Sequence, residues 1–300
     1  MSTITAGHVA GIDIGGTKTR IVLARAHDGT VVEDRTVPST GWQTRSLPDA
    51  AGWLVERLTT VPERIAVGAH ACETPEQCER LAEELRGRLS TAVSVVNDAE
   101  LLVPAAGFEH GVGVVAGTGS IAVGRHRDTG AYLAAGGWGW VLGDEGSGSA
   151  LVREAARAVL AHADEGGAPD PLEKALLTAF DAPGLPELAA VMSWDGGVET
   201  WGRHAPVVFA AADGGSGLAA AVVEEGGRAL AALVGRLAAR GARTDAVVVA
   251  GGVIPARPRL FTAFARALAD RLPGTDPVLL DAPPVRGALA LALRTEEGRR

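Results

Sequence analysis

Two short polar turns, each set between apolar runs and about a hundred residues apart, constrain this chain most. Asp13-Ile14-Gly15-Gly16-Thr17-Lys18-Thr19-Arg20 interrupts a run that ends at Gly11-Ile12 and resumes at Ile21-Val22-Leu23-Ala24. Gly117-Thr118-Gly119-Ser120 does the same between Gly113-Val114-Val115-Ala116 and Ile121-Ala122-Val123. Both patterns fit tight hairpins, since glycine adopts left-handed backbone angles at little cost and lets N–H groups approach a neighbour closely. Either turn alone reads as an ordinary β-hairpin. Together they point to one nucleotide held from two sides, because successive backbone N–H groups form nests for phosphate oxygens and hydroxyls such as those of Thr17 and Thr19 add donors.

The hydrophobic pattern around the turns runs through its order twice. Residues 9–14, 20–26 and 30–37 read as strands, 47–58 as a helix, 64–68 as a buried strand, and Pro75 opens a helix repeating through Leu81, Leu85 and Leu89. A strand over 92–96 leads through Asn97-Asp98 into a helix ending near Ala106. From Gly111 the pattern restarts: strand, turn, strand, a third strand over 131–135, then a glycine-rich loop. Helices follow over 149–162, 172–180, 186–192 and 217–240, a buried strand over 246–250, a helix over 258–272, a short strand at 278–279 and a terminal helix over 285–294. A β-meander followed by alternating strands and helices predicts an α/β domain with a mixed sheet. Two such domains are expected, 1–108 and 109–300, the second carrying a helical insertion and a terminal helix placed to pack back on the first.

Composition narrows the function. At 300 residues and 47% hydrophobic, the chain buries a substantial core. A net charge of −8 argues against a nucleic-acid partner, whose phosphate backbone demands a basic face. No uncharged apolar stretch approaches the roughly 20 residues a membrane helix needs, and Met1 to His8 lacks the basic and apolar regions of a secretion signal. A soluble cytoplasmic protein is expected. Cys72 and Cys78 are the only cysteines and have no nearby histidine pair, so they read as thiols in a reducing compartment.

Six motifs then occur in order: Gly11-Ile-Asp-Ile-Gly-Gly-Thr-Lys-Thr19, Val96-Asn-Asp-Ala99, Gly117-Thr-Gly-Ser120, Gly136-Gly-Trp-Gly139 with Gly143-Asp-Glu-Gly-Ser147, Val249-Ala-Gly-Gly-Val253, and Arg286-Gly-Ala-Leu289. With them the chain resembles the actin-like ATPase and sugar-kinase superfamily, and more narrowly the BadF/BadG/BcrA/BcrD-type ATPases that include N-acetylglucosamine and glucosamine kinases. That resemblance implies two ribonuclease H-like domains with a cleft between them, ATP and Mg²⁺ as cofactors, a sugar acceptor and a homodimer.

Within the resemblance each motif takes a physical role. Asp13 would hold the divalent metal, through water, since Mg²⁺ favours hard oxygen ligands and keeps much of its hydration; otherwise it caps the hairpin. Gly15, Gly16, Thr17 and Lys18 would face the phosphates from one side, and Gly117, Thr118, Gly119 and Ser120 from the other. Gly251 and Gly252, after a buried strand, would let the purine lie close to the backbone, or simply make a strand-to-helix turn.

Asp98 is the residue suited to catalysis. Phosphoryl transfer to an alcohol needs a carboxylate that orients the hydroxyl and accepts its proton; the competing role is a cap on the helix that follows. For the acceptor, Asp144 offers a carboxylate to vicinal hydroxyls and Trp138 a flat indole to a sugar face, on a loop shaped by Gly136 and Gly137. Asp144 and Glu145 also suit the start of the following helix, and Glu145 is assigned that helix-supporting role. Thr40, Trp42 and Asn97 are further acceptor-side candidates.

Two departures concern the same side. The hexosamine kinases commonly carry an asparagine near residue 40, where this chain has Ser39-Thr40-Gly41-Trp42, and a small Ser-Gly-type turn where it has Gly68-Ala-His-Ala-Cys-Glu73. His70 is there either a structural histidine or a substituted acceptor contact. The expected activity is transfer of the γ-phosphate of ATP to a hexosamine at O6. The alternative is an ATPase coupled to a partner, of the dehydratase or reductase activator type.

Overall fold

A computed structural model describes residues 4–194, 197 and 201–294; the first residues of the N-terminal stretch considered above lie outside these. The chain divides into two compact units. The first comprises residues 1–110 and 280–300, the second residues 111–279.

In the first unit, β1 (Ile4–Ile14), β2 (Lys18–Arg25), β3 (Val31–Pro38), β4 (Val61–Ala69) and β5 (Ala92–Asn97) form one sheet in the order β3-β2-β1-β4-β5. β2 and β3 are antiparallel additions, whereas β1, β4 and β5 run parallel. Alternation along β1 divides the faces. Ala10, Ile12 and Ile14 join Leu54, Leu81 and Leu85 of α1 (Leu47–Val55) and α2 (Pro75–Leu89). Val9 joins Val285 and Leu289 of the last helix on the other face. Caps fix both helix starts: the Ser46 hydroxyl accepts from Asp49 N–H, and Thr74 with Gln77 forms a reciprocal capping box.

The second unit repeats the plan. β6 (Val112–Ala116), β7 (Ser120–Arg125), β8 (Tyr132–Gly136), β9 (Val247–Ala250) and β10 (Pro277–Leu279) take the order β10-β9-β6-β7-β8. Taking β6–β10 as counterparts of β1–β5 gives the same order and the same directions, a hairpin meander on one side and parallel strands on the other. The two sheets therefore share one mixed topology, the architecture of two actin-like ATPase domains. Between β8 and β9 stand α4 (Gly148–Asp164), α5 (Pro171–Ala179), α6 (Leu185–Trp194), α7 (Ala205–Asp213) and α8 (Gly217–Ala239), while α9 (Pro258–Arg271) links β9 to β10. Gly227 of α8 allows a close helix crossing, since a Cβ there would lie 2.5 Å from Ala263 Cβ and 2.6 Å from Phe264 N. Among the described residues no single helix is long and apolar enough to cross a membrane.

Local chemistry accounts for the departures from the sequence reading. α1 stops at Val55 and its tail tightens into i→i+3 bonds, Arg57 N to Leu54 O at 3.0 Å and Leu58 N to Val55 O at 3.1 Å. The expected helix ending near Ala106 is a 3₁₀ turn, Asp98–Leu101, followed by one α turn, α3 (Leu102–Ala105), containing Pro104. α7 carries almost no polar residues, so it shows no amphipathic period by which sequence could mark it. Glu145 lies two residues ahead of the cap of α4. The helix is capped by Ser147, whose hydroxyl accepts from Ala150 N–H at 3.2 Å, and its first turn holds no acid.

The last helix, α10 (Val285–Leu293), lies against the first sheet. Its backbone comes so near that a Cβ on Gly11 would sit 2.4 Å from Leu289 N, and a Cβ on Gly287 would sit 2.0 Å from the Leu101 carbonyl oxygen. The Arg286-Gly-Ala-Leu289 motif thus places a glycine where two backbones meet.

Candidate functional site

In the first unit the register of three parallel strands assembles a set of polar side chains. Ile14 stands beside Ala69, and Ala69 beside Asn97, so Asp13, His70 and Asp98 gather at the carboxyl ends of β1, β4 and β5. Crevices at that edge are where open α/β sheets bind ligands. The Gly15–Lys18 turn closes the β1–β2 hairpin beside it, with Gly15 N–H donating to Lys18 O at 3.0 Å and Gly16, Thr17 and Lys18 exposed.

Asp98 is not the helix cap. Asn97 fills that position, with its Oδ1 accepting from Ala99 N–H at 3.0 Å and Glu100 Oε1 accepting from Asn97 N–H at 3.4 Å, which closes a capping box. Asp98 Oδ1 also accepts from Ala99 N–H, at 3.1 Å, while Oδ2 faces His70 Nδ1 at 3.7 Å. Asn97 itself is 2% exposed, and its Nδ2 donates to Cys72 O at 3.1 Å and to Glu73 Oε2 at 3.3 Å. Both polar atoms of that amide are engaged inside the protein, so Asn97 braces the loop that carries His70 and Glu73.

Asp13 is largely buried, and burial together with the neighbouring Asp98 charge pushes its carboxyl up to about 6, with Lys18 and Arg20 pulling the other way. The folded state therefore binds the proton more tightly than the unfolded chain, whose carboxyl keeps its ordinary value near 3.8. This group's contribution to stability is full in acid, falls as pH rises from about 4 to about 6, and stays low above. Asp13→Asn is accordingly expected to remove that fall in the ligand-free protein, gaining on the order of 2 kcal/mol relative to wild type at pH 7.5 compared with pH 4.5. Urea midpoints of both proteins at the two pH values measure the difference; parallel pH dependence would refute it.

The remaining sequence candidates separate. Trp42 is 6% exposed, tilts against Trp53 with ring centroids 5.7 Å apart, and donates its indole N–H to His70 O at 2.8 Å. It is a core residue that anchors the His70 loop and presents no ring to an acceptor. Thr40 is exposed on the adjoining loop, its carbonyl accepting from Arg45 Nη2 at 3.1 Å. Gln43 was absent from the sequence candidates, yet a Cβ at Gly16 would lie 3.6 Å from its Nε2 and 3.8 Å from His70 Nε2. No sequence signal marked Gln43; its place follows from the 3₁₀ turn Trp42–Thr44.

In the second unit the Gly117–Ser120 turn sits on the start of α4. Gly148 N–H donates to Gly117 O at 2.8 Å, and the Ser149 hydroxyl donates to Thr118 O at 2.8 Å. Gly251 is required locally: its φ is +123°, and a Cβ would lie 2.3 Å from Ala116 O. Gly252 is adjacent to the same turn, its N 3.5 Å from the position of a Cβ on Gly117. The phosphate and adenosine candidates of this unit are therefore neighbours.

Asp144 and Trp138 part company. Asp144 is 6% exposed and lies beneath the turn, its Oδ1 accepting from Ser120 N–H at 3.3 Å and its Oδ2 3.0 Å from where a Cβ on Gly119 would stand. Burial raises its carboxyl above the ordinary value against that hydrogen bond. Trp138 is 76% exposed on the loop that follows Gly136 and Gly137, and Arg153 holds the far side of that loop by donating to Trp140 O and, at 3.2 Å, to Gly143 O.

With these residues placed, sequence comparison assigns the family. A profile of the BadF/BadG/BcrA/BcrD ATPase family matches residues 10–292. The chain belongs to that family. This family member is 31% identical over 184 residues to the N-acetylmuramic acid/N-acetylglucosamine kinase of Clostridium acetobutylicum, a match covering 57% of this chain and 59% of that one. It is 28% identical over 225 residues to the N-acetyl-D-glucosamine kinase of Dictyostelium discoideum, covering 71% and 69%. The first match thus spans somewhat less than two thirds of its relative's length. Among solved structures, the putative N-acetylglucosamine kinase of Chromobacterium violaceum superposes with a TM-score of 0.70 at 24% identity, over 96% of this chain and 99% of that one, which supports the fold.

Proposed function

We propose that the protein is a cytoplasmic ATP-dependent kinase that transfers the γ-phosphoryl group to the primary hydroxyl, O6, of a hexosamine such as N-acetylglucosamine or glucosamine. The observation that carries this reading is Asp98: a carboxylate at the end of β5, relieved of capping by Asn97 and grouped with Asp13 beside an exposed Gly-Gly-Thr-Lys turn. The likeness to two N-acetylglucosamine kinases supports it.

In this reading the backbone N–H groups of Gly15, Gly16 and Thr17, with Lys18, bind phosphate oxygens, and Gly117 to Ser120 bind others. Gly251 and Gly252 receive the adenosine. Asp98 orients the sugar hydroxyl and takes its proton as the new O–P bond forms and the bond from the γ-phosphorus to the β–γ bridging oxygen breaks, leaving ADP. Trp138 belongs to the acceptor side through its exposed ring, while Asp144 holds the Gly117–Ser120 turn from beneath.

The donors present suit a magnesium ion. Asp13 is a hard oxygen ligand, and the mutual repulsion of Asp13 and Asp98 is of the kind a divalent cation relieves. Asp13 would hold the ion through water, and what the ion supplies there is neutralisation of phosphate charge.

The activator-type alternative requires cysteines that bridge a cluster between two subunits. Here Cys72 and Cys78 are 6% and 7% exposed, with Cys78 Sγ donating to Cys72 O, so nothing favours it. A coupled ADP-release screen across amino sugars, hexoses and a no-sugar control tests the kinase reading. Release raised by a hexosamine is expected; release indifferent to every sugar would reject it.

A further inference from the structure

The geometry points to His70 as the positioning residue of Asp98, an imidazole that holds the proposed base by one ring edge and borders the Gly15–Lys18 turn with the other. This inference rests on the kinase reading. Nδ1 faces Asp98 Oδ2 at 3.7 Å, and the Nε2 edge lies 3.8 Å from the position of a Cβ on Gly16. The first distance is that of an ion pair; hydrogen bonds of catalytic groups are commonly long before substrate arrives and tighten in the complex.

The backbone around the ring is fixed from three directions. His70 N–H donates to Ile14 O at 2.8 Å, and His70 O accepts from the Trp42 indole at 2.8 Å. The next residue, Ala71, has φ +68°, a left-handed conformation that costs a non-glycine residue of order 1 kcal/mol and persists where surrounding structure enforces it. A merely space-filling histidine does not need that arrangement. Both side chains also remain reachable, His70 being 38% and Asp98 30% exposed.

Electrostatics agree with the geometry. The neighbouring Asp98 carboxylate holds the His70 imidazole above its ordinary value, while burial opposes and Glu73 and Cys72 add smaller upward contributions. Asp98 otherwise faces the Asp13 carboxylate, and an incoming γ-phosphate brings further negative charge. An imidazole N–H on Oδ2 keeps that oxygen in place and leaves the remaining lone pairs of the carboxylate to receive the hydroxyl proton.

His70→Ala is expected to lower kcat by about 10- to 100-fold while KM for ATP stays within about threefold, because misplacing a catalytic group affects the chemical step. His70→Asn, whose amide can place an N–H where Nδ1 lies, is expected to recover most of the loss. In an Asp98→Asn background, His70→Ala is expected to cost nothing further, since the residue it positions is gone. Unchanged kcat in His70→Ala, no recovery in His70→Asn, or full additivity in the double variant would each overturn the inference. Imidazole ¹⁵N spectra give a readout independent of turnover and of the folding of His70→Ala: the His70 Nδ1 signal should move when Asp98 becomes Asn, and an unmoved signal contradicts the pairing. A wild-type protein that transfers phosphate to no sugar in the screen would reject the kinase reading and this inference with it, an outcome distinct from those seen in the variants alone.

Discussion

Asp98→Asn is expected to lower sugar phosphorylation by about 10²- to 10⁴-fold, the range a positioned general base contributes, while ATP still binds. The exchange is isosteric and removes only the proton acceptor. Asn97 and Glu100 keep the cap on the 3₁₀ turn, so the backbone at residue 98 has no reason to move. The nucleotide candidates Gly15 to Lys18, Gly117 to Ser120 and Gly251–Gly252 do not include it. Turnover by stopped or coupled assay, with ATP binding followed by calorimetry in the same preparation, separates the two effects. Near-normal turnover would take Asp98 out of the mechanism, and lost ATP binding would recast it as a binding residue.

The second large effect concerns stability. Gly287→Ala would place a methyl 2.0 Å from Leu101 O, with Leu101 C at 2.9 Å and Ala105 N at 3.0 Å. All three are backbone atoms, so no side chain can swing aside, and α10 must lift from the 3₁₀ turn and α3. Overpacking of this kind costs about 3 kcal/mol, which for a unit of this size lowers Tm by roughly 10 °C. Leu101 also packs its side chain over Gly68, where a Cβ would meet Leu101 Cδ1 at 2.3 Å. Displacing Leu101 therefore disturbs the turn that carries Asp98, and a fall in kcat should accompany the fall in Tm. Gly87→Ala is the control: that glycine lies in α2 with nothing within 4 Å of the new methyl. The same exchange there should stabilise by about 0.5–1 kcal/mol, because alanine loses less backbone entropy in a helix. Equal thermal shifts in the two variants would contradict the close approach.

Much of this was legible in the residues. The two turns, the restart at Gly111 and the alternation of strands and helices mark a duplicated α/β unit with a mixed sheet, because hydrophobic periodicity and turn chemistry are local signals; the strand order the two sheets share is set by long-range pairing. Asp13 and Asp98 end apolar strands, a pattern that fits a hairpin or helix cap as well as catalysis; the order of the six motifs, through the family resemblance, singles them out. Burial was less legible. Trp42 has the chemistry of a sugar platform, and only its packing on Trp53 and its bond to His70 O make it a core residue. Asn97 followed by Glu100 is a capping box in plain sequence, a signal that weighs against a ligand role for Asn97. The His70–Asp98 pairing lies outside any local pattern: 28 residues separate them, and they meet because β4 and β5 run parallel with Ala69 beside Asn97. The left-handed turn at Ala71 likewise has no glycine or asparagine to announce it.

The central claim is ATP-dependent phosphorylation of a hexosamine hydroxyl. Incubating the purified protein with ATP, Mg²⁺ and N-acetylglucosamine or glucosamine and following the mixture by ³¹P NMR tests it most directly. The account predicts a new phosphomonoester signal, coupled to the C6 protons of the sugar, growing in step with ADP and absent without sugar. ADP accompanied only by inorganic phosphate, at a rate that no sugar alters, would contradict it.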